Sequence, residues 1–298
     1  MTTVPPTLPR GGRGGPVLTV LASVASVQVG AALAKQVFPL VGPAGTVTIR
    51  TATAALVCVA VVRPRLRAVR REHLRLAAAL GLVLVTLNLT FYAAIARVPL
   101  GVAVTLEFAG PLAVAVLGTR RPRDLLWAAL AASGVVLLTG GGRALLDGTL
   151  DPLGVGLALL AGVGWAGYIV VNQRVGAVLP GFGGLAVAFV VAAVAVLPVG
   201  VVTAGADLLQ PRVLAFGALV GVLSSALPAA LEMAALRALP TATFGVLMSL
   251  EPVGAALAGL AVLGERLGAV QWAAIGVVCV ASAGAALSPR PAPLVDIP

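Results

Sequence analysis

Four charged residues lie inside apolar runs of this 298-residue chain: Arg50, Glu107, Glu232 and Glu251. An ionisable side chain at membrane depth costs several kcal/mol unless it meets a partner or a watery cavity, so each marks a candidate functional position. Glu107 lies 8 residues after Pro99, and Glu251 lies 11 after Pro240. At 1.5 Å per residue these are depths of roughly 12 and 16 Å, near the middle of a ~30 Å hydrocarbon core. A carboxylate so placed can exchange a proton or hold an ammonium group. Each acid is followed by a proline, Pro111 and Pro252. A helix-interior proline frees the carbonyl four residues back. Those carbonyls, on Glu107 and Met248, would be further acceptors for an ammonium. Pro228 is read as a third kink of this kind and Pro198, with no polar neighbour in sequence, as a packing kink.

Arg50, about five residues into its run, suits a bidentate contact to a substrate carboxylate, or an ion pair with an acid on a neighbouring helix. Lys35 is near enough to a helix end to snorkel. Glu232 sits toward a helix end, at the position of a gate. Asn88, Tyr92, Thr105, Trp165, Tyr168, Ser224, Ser225, Thr243 and Ser249 offer hydrogen bonds, either to a cavity or between helices. An arginine for a carboxylate and acids for an ammonium describe a site for a small zwitterion. Aromatic residues are 4% of the chain, too few for a stacking pocket in which Trp165 and Tyr168 would be the main candidates.

The elements that must position these groups are membrane helices. The chain is 60% hydrophobic and 10% charged, with mean hydropathy +1.09, whereas soluble domains carry about 25% charged residues. Apolar segments occur at Pro16–Val37, Gly45–Val62, Leu74–Ala96, Leu100–Gly118, Leu125–Gly140, Pro152–Val171, Phe182–Ala204, Val213–Ala234, Thr241–Leu263 and Ala269–Leu287. The expectation is an all-α membrane protein of ten transmembrane helices. The net charge of +10 comes from arginines in short loops, not from a basic face interleaved with aromatics, so nucleic acid is not the partner. With the N-terminus inside, 14 of the 20 Lys and Arg residues fall on the inner side and 6 on the outer. That asymmetry predicts cytoplasmic termini. Cys58 and Cys279 lie in separate apolar runs, and the one histidine, His73, sits in a basic loop, so no metal or cofactor chemistry is indicated.

The chain also repeats itself. Pro99 and Pro111 are 12 apart, as are Pro240 and Pro252, with Arg97 and Arg237 just ahead of each pair. Trp127-Ala-Ala is answered by Trp272-Ala-Ala. The reading is a tail over 1–15, a five-helix unit over 16–140, a second over 152–288 and a tail over 289–298. Five is odd, so the second unit enters the membrane from the opposite side. Inverted repeats of this kind are the architecture of secondary transporters, with the site at mid-membrane between the units.

At AKQVFPLVGPAGTVTIR (34–50), VPLGVAVTLEFAGPLAVAV (98–116), RRPRDLLW (120–127), SALPAALEMAALRALPTATFGVLMSLEP (225–252) and LGERL (263–267), the chain resembles the threonine/homoserine exporters within the EamA branch of the drug/metabolite transporter superfamily. The Gly264-Glu265 pair marks only the wider superfamily. The resemblance implies a ten-helix inner-membrane carrier exporting small amino acids, driven by proton entry. It carries over Lys35, Arg50, Glu107, Glu232 and Glu251 as matching positions, with Asn88 and Tyr92 in a third helix whose surroundings depart from the family pattern. Within this superfamily the alternative is export of another metabolite or a cationic drug. An intramembrane enzyme would need a nucleophile and base or metal ligands at depth, and a channel would need a filter or charged ring. Neither is legible.

Overall fold

The computed structural model describes residues 14–63, 70–117, 122–179 and 182–288, all of it helix and connecting turns. The expected tail at 289–298, nearly all of that at 1–15, and the loop arginines Arg65, Arg67, Arg120 and Arg121 lie outside the described residues.

Helix α1 (Gly14–Val62) takes in the first two expected segments. Its continuity is broken at Gly42, where φ is 66° and ψ 175°, a region open essentially only to glycine. Pro39 and Pro43 flank the break, and Pro43 has no N–H to carry the helical ladder across it. The Thr46 hydroxyl donates to the Gly42 carbonyl at 2.8 Å. Two arms result, 14–41 and 43–62. Helix α2 (Arg71–Ile95) follows.

Two proline-punctuated pairs of helices then correspond closely. Pro99 caps α3 (Leu100–Glu107), which breaks at Phe108 before α4 (Ala109–Leu117). Pro240 caps α11 (Thr241–Met248), which breaks at Ser249–Leu250 before α12 (Glu251–Leu263). Both first pieces have 8 residues, and the two capping prolines share nearly the same backbone (φ −56°, ψ 145° and φ −57°, ψ 141°). Pro111 and Pro252 account for both breaks, since neither can donate to the carbonyl four residues earlier.

Between these pairs run α5 (Pro122–Leu138), a short α6 (Arg143–Leu146) reached through three left-handed glycines, Gly140 to Gly142, then α7 (Pro152–Val178) and α8 (Gly183–Ala204). Asp151 caps α7, accepting from the N–H of Leu153 and Gly154 and from Arg97 at 2.9 Å. The hydrogen bond from Arg97 holds the Asp151 carboxyl below the usual aspartate range. Helix α9 (Pro211–Gly221) passes through a π turn, Val222–Ala226, into α10 (Leu227–Leu236), and α13 (Ala269–Leu287) closes the chain.

Among the described residues seven helical stretches are long and apolar enough to cross a membrane, and an eighth if α5 and the piece bent 51° from it are one span. The sequence predicts ten. The first two expected segments join through Gly42 into one of the seven, and Leu100–Ala115 is a shorter apolar helix split by its proline.

Helix α1 packs on α8, α9, α10 and α12; α2 packs on α7 and α8; α3 packs on α7 and α12; α5 packs on α13. Alanines such as Ala32, Ala94, Ala103, Ala158 and Ala255 are buried beside larger side chains such as Tyr92, Leu80 and Ile95, while Leu56, Val61, Val163, Val194 and Val202 face outward. Apolar side chains facing outward suit a lipid exterior, and small buried ones allow close backbone approach. The closest approach is Gly110 of α4 against Gly162 of α7, where a Cβ on Gly110 would collide with the Gly162 carbonyl. Gly110→Ala is therefore expected to cost about 1–3 kcal/mol as overpacking, lowering the melting temperature of the detergent-purified protein. Gly156→Ala, on α7 with nothing near its Cβ position, should leave it unchanged or raise it slightly.

Candidate functional site

The broken helices converge on a cavity of about 270 Å³, at the lower end for small-molecule sites. Arg50, Asn88, Glu107, Trp165, Tyr168, Ser224, Ser225, Pro228, Glu232 and Glu251 all line it. Most of the site residues read from the sequence are thus brought together from seven elements. A second cavity of about 170 Å³ lies against the proline breaks, lined by Phe108, Pro111, Met248 and Glu251 among others. Glu251, Met248 and Trp165 belong to both walls. The Trp165 indole meets the Phe108 ring edge-on, with centroids 5.2 Å apart.

Arg50 projects from the second arm of α1 into a set of neutral acceptors. Its Nε donates to Ser224 Oγ at 2.7 Å, its Nη1 to Asn88 Oδ1, and its Nη2 to the Ser224 carbonyl and Ser225 Oγ, both at 3.2 Å. The guanidinium carbon stands 5.4 Å from the centroid of the buried Tyr92 ring. Two local features of the sequence supply these acceptors. Pro228 frees the Ser224 carbonyl, four residues back, and the π turn at Val222–Ala226 offsets the ladder just ahead of it. The Leu223 carbonyl in that turn accepts from Ser26 Oγ at 2.6 Å. Asn88 is fixed in turn, its Nδ2 donating to the Leu84 carbonyl at 2.7 Å.

Arg50 does not pair with an acid: no carboxylate among the described residues is within ion-pair distance of it. Its charge is solvated by dipoles and one aromatic face. Four of its five N–H donors are engaged, so a two-pronged grip on a carboxylate requires Asn88 or a serine to give way. The acids sit apart from it on the cavity wall. Glu107 closes α3 and is 7% exposed; Glu251 opens α12 and is 6% exposed. Glu232, on α10, accepts from Ser23 Oγ at 2.9 Å. One fixed cation and three carboxylates around a small space can hold both ends of a zwitterion.

Other expectations fare differently. The Glu107 carbonyl freed by Pro111 turns toward α7, where a Cβ on Gly162 would lie only 2.7 Å from it, so the glycine contact takes up the space an ammonium would need. Ser249 is buried and donates back to the Val246 carbonyl at 2.6 Å, and Thr243 is exposed; neither lines the cavity. Pro252 is buried at the α12 start. Lys35 is also away from the cavity. Its Nζ meets Glu265 Oε1 at 2.6 Å and the Val98 carbonyl at 3.2 Å, while Glu265 Oε2 accepts from the Leu100 N–H at 2.8 Å. Glu265 therefore caps α3 from a distant loop. Pro99, which precedes α3, has no side-chain acceptor with which to do so. The left-handed Gly264 ends α12 and turns Glu265 inward.

Sequence reasoning passed over three cavity or near-cavity groups on the first arm of α1: Ser23, Ser26 and Gln28. All three are neutral polar residues spaced along one apolar run, a weaker signal than a charge.

Comparison with known proteins follows the same lines. Residues 152–287 match the EamA-like transporter family. The threonine/homoserine exporter RhtA of Salmonella typhimurium (strain SL1344) is 44% identical over 279 residues, 93% of each chain. The Escherichia coli K12 protein of that name is 44% identical over 92% of each. An uncharacterized transporter of Bacillus subtilis, YwfM, is 29% identical over 61% of each. One crystal structure, 17% identical, aligns over 92% of this chain and 98% of its own with a TM-score of 0.51, which is a likeness of fold alone. The relatives are transporters and not enzymes.

The linkage at Lys35 gives a stability test. Glu265→Ala leaves a half-buried lysine and the Leu100 N–H without their acceptor, and is expected to cost about 1–3 kcal/mol. Glu265→Gln keeps an acceptor for Leu100 and should cost less, as read by melting in detergent.

Proposed function

The chain belongs to the RhtA-type threonine/homoserine exporter family of EamA-like transporters, and we propose on that premise that it exports threonine, homoserine and similar small amino acids across the inner membrane in exchange for protons. The observation that carries this reading is Arg50, a cation met only by neutral groups, facing three carboxylates across a cavity sized for a small molecule. A substrate carboxylate completes the charge of Arg50, and its ammonium goes to the acids. A proton and an ammonium then compete for the same carboxylate, Glu107 or Glu251, and that competition is the coupling.

The architecture we propose is ten helices in two inverted five-helix repeats, 16–140 and 152–288, with both termini cytoplasmic. Its support is the twin Pro99/Pro111 and Pro240/Pro252 breaks, together with packing that repeats at an interval of five spans. Helix α2 packs on α7 as α10 packs on the first arm of α1, and α5 packs on α13. On this topology the Lys35–Glu265 linkage closes the outer end.

Two tests follow. Expression in a host lacking its own exporters should restore growth under toxic threonine or homoserine, and Arg50→Ala should abolish the protection. Protection only against bulky hydrophobic cations, surviving Arg50→Ala, would replace amino-acid export with drug export. In proteoliposomes, Glu107→Gln and Glu251→Gln should each abolish transport driven by an imposed pH gradient while the protein folds and is inserted normally. Wild-type pH dependence in both would reduce the acids to packing groups.

A further inference from the structure

Gln28 is 2% exposed, and its Oε1 is the one fully buried side-chain oxygen or nitrogen without a hydrogen-bond partner among the described residues. It sits on the first arm of α1, lines the cavity that holds Arg50, and its Cγ lies 3.5 Å from where a Cβ of Gly254 would stand, one turn beyond Glu251. The two serines of the same arm donate elsewhere: Ser23 to Glu232 and Ser26 to the Leu223 carbonyl. A buried acceptor kept without a donor is a cost that folding alone does not explain.

We propose that Gln28 is the specificity-determining residue of the site, its side-chain amide reading the hydroxyl of the transported amino acid. The inference rests on the amino-acid reading above and assigns the ends of the substrate by elimination. The carboxylate goes to the one cation, Arg50. The ammonium goes to Glu107, Glu232 or Glu251, because charge-assisted bonds to carboxylates outcompete a bond to a neutral amide. What remains on a hydroxy amino acid is a neutral O–H, and what remains on the wall is a neutral amide. A hydroxyl both donates and accepts, so it satisfies whichever edge of the amide it meets. An apolar side chain of the same size leaves Oε1 buried and unpaired, which is the arrangement that rejects an analogue lacking a hydroxyl.

The experiment is transport by purified protein in proteoliposomes. Threonine is compared with valine, its isostere lacking the hydroxyl, and homoserine with 2-aminobutyrate. Gln28→Met, apolar and of similar length, should cut the threonine-to-valine ratio about tenfold, the worth of one hydrogen bond. Gln28→Asn withdraws the amide by one methylene and should raise the homoserine-to-threonine ratio, because the homoserine hydroxyl lies one carbon further out. A loss of folding cannot produce that gain in preference. An unchanged threonine-to-valine ratio in Gln28→Met overturns the proposal. Should Gln28→Met carry nothing, an unchanged homoserine-to-threonine ratio in Gln28→Asn overturns it. A wild-type protein that carries amino acids without preferring threonine to valine defeats the role of Gln28 alone. One that carries no amino acid defeats the proposed function together with it.

Discussion

A guanidinium in the middle of an apolar bundle must have its donors met, and much of the structure around the cavity is arranged to meet those of Arg50. In a regular helix the Ser224 carbonyl would accept from the N–H four residues on. The π turn and Pro228 undo that regularity where Arg50 arrives, and expose the Ser224 carbonyl and two serine hydroxyls to it. Replacing ion pairing by dipoles has a chemical consequence. An arginine neutralised by a carboxylate offers little to a second anion, whereas one held by serine, asparagine and an aromatic face keeps its charge available.

Separating the cation from the acids requires rigid helices, and small residues at the helix contacts provide them. Gly110 on Gly162 and Gly101 on Ala256 bring α4 onto α7 and α3 onto α12 at backbone distance. Those contacts fix the two proline breaks from which Glu107 and Glu251 project. At the end of the bundle where α3 begins, the Lys35–Glu265 pair ties α1 to the loop after α12 and caps α3. A charged pair thus does here what capping residues do in soluble helices, because a proline occupies the capping position.

Much of this was legible in the sequence. The intramembrane charges, the twin prolines and the helical segments follow from spacing and hydropathy, which need no knowledge of tertiary contacts. What stayed hidden depends on direction. Nothing in the order of residues says that the freed Glu107 carbonyl turns toward Gly162, that Lys35 finds Glu265 across 230 positions, or that Thr243 faces outward. Gln28 was overlooked for another reason: a neutral amide raises no alarm in an apolar run as a carboxylate does. That its Oε1 is buried without a partner shows only in the folded chain.

The two halves are alike in backbone and unlike in chemistry, and steric limits explain the difference. Counting from Pro99 and Pro240, Glu107 corresponds to Met248 and Gly110 to Glu251. The acid of the second half opens its helix after the break, whereas that of the first half lies one turn earlier. An acid at position 110 has no room, since even a Cβ there would strike the Gly162 carbonyl. The tight α4–α7 contact therefore displaces the first carboxylate by about one turn, or roughly 4.5 Å of rise over three residues. Displaced acids meet different neighbours, Glu107 on the cavity with Arg50 and Glu251 on the wall between both cavities.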